Sequence, residues 1–131
     1  MYEPIRTKSV HSMADADFPH RTREEELDIQ LAGHLAALLS VTDDLGLDHA
    51  ADRIAQQITR LRGTPPPRTS TPLPGTDSTE LHRRALALAG RALVVAASRA
   101  DTAAAILAAE QMDAHTAALR APEEHALATA R

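Results

Sequence analysis

Aromatic residues are confined to the beginning of this chain, where Tyr2 and Phe18 are the only two. Residues 19–131 contain no Phe, Tyr or Trp, and Ala, Leu, Ile and Val supply most of their apolar side chains. A core made of these residues is purely aliphatic and suits closely packed helices. It offers no aromatic surface on which a nucleobase, a sugar ring or a flat cofactor could stack. The composition therefore constrains the architecture far more than it indicates a function.

The overall composition excludes several kinds of site. A chain of 131 residues is long enough for one ordinary domain. It contains no Cys, which excludes disulfides, thiolate metal sites and cysteine nucleophiles. The net charge of −4 argues against nucleic acid as a partner, because such partners need a basic face. The frequent Ala, and Arg in place of Lys, are typical of a GC-rich bacterial genome.

The sequence gives no indication of a membrane protein. The most apolar segment, residues 85–97, is shorter than the roughly 20 residues that a membrane-spanning helix needs. The first residues lack the apolar core of a secretory signal. We therefore expect a cytoplasmic protein with no membrane partner.

Helical periodicity begins after an N-terminal arm, residues 1–21, which has no regular pattern and is predicted to be flexible. Thr22 and Glu25 form a capping-box pattern, and leucines at helical spacing follow as far as Gly46. This pattern predicts a first helix over residues 22–46. A second helix is predicted over residues 48–62, with Asp48 as its N-cap and Gly63 as its stop.

A proline-rich linker separates this pair of helices from a second pair. The linker, residues 63–77, contains five prolines, which remove amide donors and favour extended backbone. A third helix is predicted over residues 78–99 and a fourth over residues 101–120, with Asp77 and Asp101 as N-caps. One continuous helix across both is the alternative, but so long a helix is rare in globular domains. Pro122 begins a short final turn in the tail, residues 121–131. The predicted fold is an all-α four-helix bundle of two antiparallel hairpins joined by the linker.

Two features favour self-association. The first predicted helix has one Arg against three Glu and three Asp, a net charge of −5, whereas the third has four Arg against one Glu, a net charge of +3. In one interpretation, these complementary faces set the order of the helices or the register of a dimer, as in coiled coils. In the other, both faces are simply exposed to solvent. The aliphatic side chains are also few for the number of helical residues that must be ordered. Burial of more apolar surface in a homo-oligomer would offset that deficit.

The seven histidines do not have metal-ligand spacing. No two are four residues apart, and no Glu stands three before a His, so neither a helical zinc pair nor a di-iron bundle motif is present. We predict no metal, no other cofactor and no catalytic residue, because phosphate-binding loops and nucleophile elbows are also missing.

Three groups of residues remain as candidates. His34 lies in or beside the apolar seam of the first helix, and a buried polar site with Glu110 across the bundle is one interpretation; a flanking or hydrogen-bonded core histidine is the other. His82, beside arginines near the start of the third helix, resembles loosely the exposed histidine of a phosphotransfer bundle. Tyr2, Ile5 and Phe18 in the arm form a possible partner-binding motif, although the arm could instead dock on its own bundle or stay free.

The sequence thus predicts a non-enzymatic protein-interaction or regulatory module that self-associates, with a possible protein partner at the arm. The alternative is a small-molecule binder with an aliphatic pocket between the hairpins. A histidine phosphotransfer-like domain is the lesser alternative.

Overall fold

The four predicted helices are present in the computed structural model, which describes residues 21–69 and 77–129, with side chains to residue 121. The helices are α1 (Arg23–Asp44), α2 (Asp48–Arg62), α3 (Ser78–Arg99) and α4 (Thr102–Thr129). No strand occurs within these described ranges. The all-α four-helix bundle is therefore confirmed. The predicted arm, with Tyr2, Ile5 and Phe18, lies outside the described residues.

The contacts between helices define their order around the bundle. α1 packs against α2 and α3, α3 packs against α4, and α2 touches α4 less extensively. The cyclic order is therefore α1, α2, α4, α3, and α1 lies diagonally opposite α4. Arg99 at the end of α3 binds Asp28 at the start of α1 (Nε–Oδ1 3.1 Å), so these two helices are antiparallel. Because α2 is also antiparallel to α1, α2 and α3 run in the same direction.

This topology explains the course of the linker. Because α2 and α3 are parallel, the chain between them must return along the length of the bundle before α3 can begin. The described part of the linker does so, since Pro66 and Arg68 lie over both the α2 residues Asp52 and Ala55 and the α1 residue Leu39. Extended proline-rich backbone suits this return because it covers distance with few residues and needs few amide partners.

The core is aliphatic, as the composition predicts. Its largest fully buried apolar side chains are leucines of α1 and isoleucines of α2, and alanines dominate the contribution of α3 and α4. Ala89, Ala92 and Ala96 on α3 and Ala104 and Ala108 on α4 have no more than 1% of their surface exposed. These small side chains let α3 and α4 approach each other closely.

The helix ends agree with the predicted caps in three cases and differ in two. Thr22 accepts the Glu25 amide, Asp77 accepts the Thr79 amide, and Asp101 accepts the Ala104 amide.

The predicted Asp48 cap is wrong, because Asp48 is the first helical residue and Leu47 precedes it without a side-chain bond. The predicted end at residue 120 is also wrong, since α4 continues through Pro122. Proline removes one intrahelical hydrogen bond there, but its Ala and Glu neighbours favour helix.

The α3–α4 connection is a tight hairpin turn and not a continuous helix. Ala100 ends α3 in the left-handed conformation, with φ 59°, and its amide donates to Ala97. The Asp101 amide donates to Ala96, and the Asp101 side chain then caps α4. The polar Asp101 cap thus specifies the break, and alanine adopts a backbone conformation that glycine would adopt more easily.

Candidate functional site

Two histidines meet inside the bundle, at the interface of α3 and α4. His82 lies one turn into α3, and His115 lies in the middle of α4. Their Nδ1 atoms are 2.8 Å apart, which is a hydrogen-bond distance. The ring centroids are 5.1 Å apart and the ring planes are tilted by 50°. This pair is the one cross-helix contact between histidines in the described part of the chain.

Burial determines the protonation of the pair. His115 has only 1% of its surface exposed, and burial, together with the nearby charge on His82, lowers the pKa of His115 to about 4. Burial also lowers the pKa of His82, which is half-buried. Both rings are therefore neutral at pH 7. One Nδ1 carries a hydrogen and donates it to the other, and each ring keeps a single proton.

Among the described residues, the second nitrogen of His115 has no hydrogen-bond partner. Its Nε2 is buried, and no described side chain or backbone group reaches it. If His115 donates through Nδ1, a bare lone pair is left at Nε2; if it accepts, an N–H group is left there. Either state has an unmet hydrogen bond in aliphatic surroundings, which typically costs about 1–3 kcal/mol. A group kept at such a cost is a candidate for a functional role.

The pair does not resemble a metal centre. Within residues 21–69 and 77–121, no group of three or more His, Asp or Glu side chains could hold a metal ion. His82 is also not the freely exposed histidine that a phosphotransfer domain would present, because it is half-buried and its Nδ1 is engaged by His115.

The structure does not bring His34 and Glu110 together. α1 and α4 are diagonal in the bundle, and no described residue of one has its Cα atom within 8 Å of a described Cα atom of the other. Glu110 is exposed and its carboxylate binds Arg53 of α2, while His34 is half-buried on α1. The predicted buried polar site is wrong because the order of the helices places α2, and not α1, beside this face of α4.

His115 is the residue that the sequence analysis missed. It ends the series Ala104, Ala108, Gln111 and His115, which are all buried and follow a 4-3-4 spacing. The same spacing was the reason for selecting His34 on α1. The same spacing therefore also indicates a buried position for His115. The apolar stripe of α4 consists largely of alanines, however, and this makes its buried face hard to identify from the sequence.

A second feature lies on the outer surface of the α3–α4 hairpin. Val94 and Ile106 are exposed over 66% and 55% of their surfaces. Next to Ile106, alanines of both helices line a shallow groove of about 290 Å³. We call this surface the outer face; it consists of Val94, Ala97, Ala105, Ile106 and Ala109.

The charges beside the outer face have opposite signs on the two helices. Arg91 on α3 and Asp113 on α4 are both exposed, and neither forms an ion pair with another described residue.

Comparisons with protein-family models, with curated proteins and with solved structures found no match. Among the described helices, none has a segment both long and apolar enough to cross a membrane. Function must therefore be argued from the geometry of the chain itself.

Proposed function

We propose that this protein is a non-enzymatic interaction module that self-associates through the outer face of its α3–α4 hairpin. The observation that carries the proposal is the exposure of Val94 and Ile106, two large aliphatic side chains on adjacent helices. Burial of such a side chain typically contributes about 1.5–3 kcal/mol. Contact between two copies would bury four of these side chains and part of the alanine groove.

Val94 and Ile106 lie near the same level of the hairpin. A Cβ at Gly90 would lie 3.8 Å from the Met112 methyl group, which fixes the register of the two antiparallel helices. Four residues further along α3, Val94 therefore lies opposite residues close to 108. Ile106 is within about half a turn of that level. The two exposed side chains thus form one apolar patch.

A twofold axis parallel to the helices would match this patch to itself. Such an axis lays α3 of one copy against α4 of the other, in antiparallel orientation. Val94 then packs against Ile106 of the second copy, and the contact occurs twice because the interface is isologous. Small side chains at Ala97, Ala105 and Ala109 allow the backbones to approach.

The charges beside the patch agree with this arrangement. In the antiparallel pairing, Arg91 of one copy faces the level of Asp113 of the other, and the reverse pair is formed by symmetry. Opposite charges at the edge of an interface favour this arrangement over the other twofold arrangement, in which α3 packs against α3 of the second copy and like charges face each other. The second copy is therefore a better match to this face than an unrelated partner of uniform charge.

Light scattering and sedimentation equilibrium test the proposal. We expect the wild-type protein at micromolar concentration to have twice the mass of the 14.0 kDa chain. Val94→Asp introduces a charge into the patch and is expected to weaken the dimer by at least about tenfold, which corresponds to 1.4 kcal/mol. Ile29→Asp is the matched control, because Ile29 is also exposed (49%) but lies on α1, away from the outer face.

Charge reversal tests the register. Arg91→Asp and Asp113→Arg should each weaken association, and the double variant should restore it. Circular dichroism should show unchanged helicity for all variants, since these positions are exposed. A wild-type mass of one chain at tens of micromolar would reject self-association, and a failure of the double variant to restore binding would reject the proposed arrangement.

A further inference from the structure

We infer that the His82–His115 pair is a proton-sensitive latch, which holds the first turns of α3 on α4 at neutral pH and releases them as the pH falls. The inference concerns opening within one chain and does not depend on the proposed self-association. It rests on the Nδ1–Nδ1 hydrogen bond and on the buried, partnerless Nε2 of His115.

The geometry of the pair dictates what each added proton does. The first goes to His82, the more exposed ring, whose charge remains in reach of water. The protonated His82 then donates its Nδ1–H to the bare Nδ1 of His115, so the bridge survives. A second proton, on His115, places two N–H groups face to face where only one hydrogen fits. It also puts a charged ring among aliphatic side chains, and separation of the two rings relieves both penalties.

The segment that must move is short and weakly held. α3 begins at Ser78, one turn before His82. Before Leu88, the apolar residues that anchor this end of α3 are Ala85, which is buried but small, and Leu81 and Leu86, which are only half-buried. Segments with few buried apolar contacts open at low free energy. Protonation of both rings, which turns the bridge into a repulsive contact, is therefore enough to release about two turns of helix.

The surrounding charges do not compensate a proton on His115. No carboxylate hydrogen-bonds to either ring within the described residues, and His82 is the charged group that acts on the pKa of His115. Two carboxylates at this end of the bundle are bound to arginines: Glu80 on α3 to Arg83, and Asp43 on α1 to Arg68. The other described carboxylates there are Asp77, which accepts the Thr79 amide; the half-buried Asp44 on α1; and the exposed Asp48 and Asp52 on α2 and Asp113 on α4.

The expected response follows from linkage. The closed state holds His115 neutral down to about pH 4, whereas a histidine in the open state protonates at its ordinary pKa near 6.5. The open state therefore binds more protons as the pH falls, and acid favours it. Between pH 7 and pH 5, the opening equilibrium is expected to rise about 20-fold from His115 alone. Few carboxylates change their protonation between pH 7 and pH 5, so the change in the opening equilibrium over this range reports the protonation of histidine.

Native-state hydrogen exchange of the amides of residues 82–86 tests the latch. After correction for intrinsic exchange rates, the protection of these amides in wild type should fall about 20-fold from pH 7 to pH 5. His115→Gln keeps a hydrogen-bonding group that does not titrate and should remove most of this change. His49→Gln is the matched control, because His49 is an exposed histidine on α2, and it should keep the full response.

Two results would overturn the inference: protection that is constant with pH in wild type, or an unchanged pH response in His115→Gln. If that variant does not fold, nuclear magnetic resonance of the ring nitrogens in the wild-type protein decides. A His115 ring that stays neutral until the helix opens supports the latch. Protonation of His115 near pH 6.5 with α3 still protected contradicts it.

Discussion

Arg68 and Asp43 form a two-pronged ion pair that fastens the linker to α1. The Arg68 Nη2–H donates to Asp43 Oδ1 at 2.9 Å, and the Nε–H donates to Oδ2 at 3.0 Å. The Thr69 amide adds a third hydrogen bond at 3.1 Å. Asp43 is nearly buried, with 5% of its surface exposed. The contact directs the described part of the linker back along the α1–α2 hairpin.

Removal of Arg68 is expected to destabilise the protein. The hydrogen bond from Arg68 keeps the pKa of Asp43 below its usual value, although burial opposes this effect. Arg68→Ala would leave a buried carboxylate with only the Thr69 amide and should lower the free energy of unfolding by about 1–3 kcal/mol. Urea unfolding at pH 7 measures this change.

Two further variants isolate the ion pair. Arg84→Ala removes an exposed arginine of α3 and should change the stability by less than about 0.5 kcal/mol. Adding Asp43→Asn to Arg68→Ala should recover part of the loss, because the buried charge is then gone. Equal losses for Arg68→Ala and Arg84→Ala would show that the pair contributes nothing to folding.

His115→Leu is expected to leave the protein as stable as wild type or to stabilise it by about 1 kcal/mol at pH 7. Leucine removes the partnerless Nε2 and fits an aliphatic environment, while the half-buried His82 can exchange its lost partner for water. Thermal and urea unfolding measure the effect, with His49→Leu as the surface control. A loss well above 1 kcal/mol would mean that the histidine bridge outweighs the unmet hydrogen bond.

Ala100→Gly is expected to stabilise the hairpin turn by about 0.5–1 kcal/mol. Ala100 has φ 59°, a conformation that costs an L-residue energy and glycine almost none. Ala114→Gly, at an exposed position inside α4, is the control and should destabilise by a similar amount because glycine is a poor helix former. Destabilisation by Ala100→Gly would indicate that the larger conformational entropy lost when a glycine folds outweighs the relief of backbone strain.

Helix positions were predictable from the sequence because their signals are local. A threonine or aspartate just before an apolar stripe identifies a helix start, and Thr22, Asp77 and Asp101 each make the predicted backbone bond. The prolines predict the linker, of which residues 63–69 are described and contain no helix or strand. The two local errors, at Asp48 and Pro122, concern helix ends, where a cap or a proline competes with the helix preference of its neighbours.

The candidate site was only partly predictable. The sequence offers His82 as a candidate, as an exposed phosphotransfer-like histidine, but does not indicate its partner His115, because the two lie 33 residues apart on different helices. The predicted pairing of His34 with Glu110 is wrong because helical spacing shows only which face of its own helix a residue occupies. It does not show which other helix packs against that face.

By itself, the sequence determined that this chain forms four aliphatic helices with a proline-rich return between the second and third. Backbone hydrogen bonds, caps and apolar periodicity act within a few residues and can be read along the chain. Only the tertiary structure decided that α4 lies beside α2 and diagonal to α1, that Arg68 reaches Asp43, and that His82 meets His115. These contacts depend on packing between distant segments, where small alanines fit several arrangements and the sum of many weak contacts selects one.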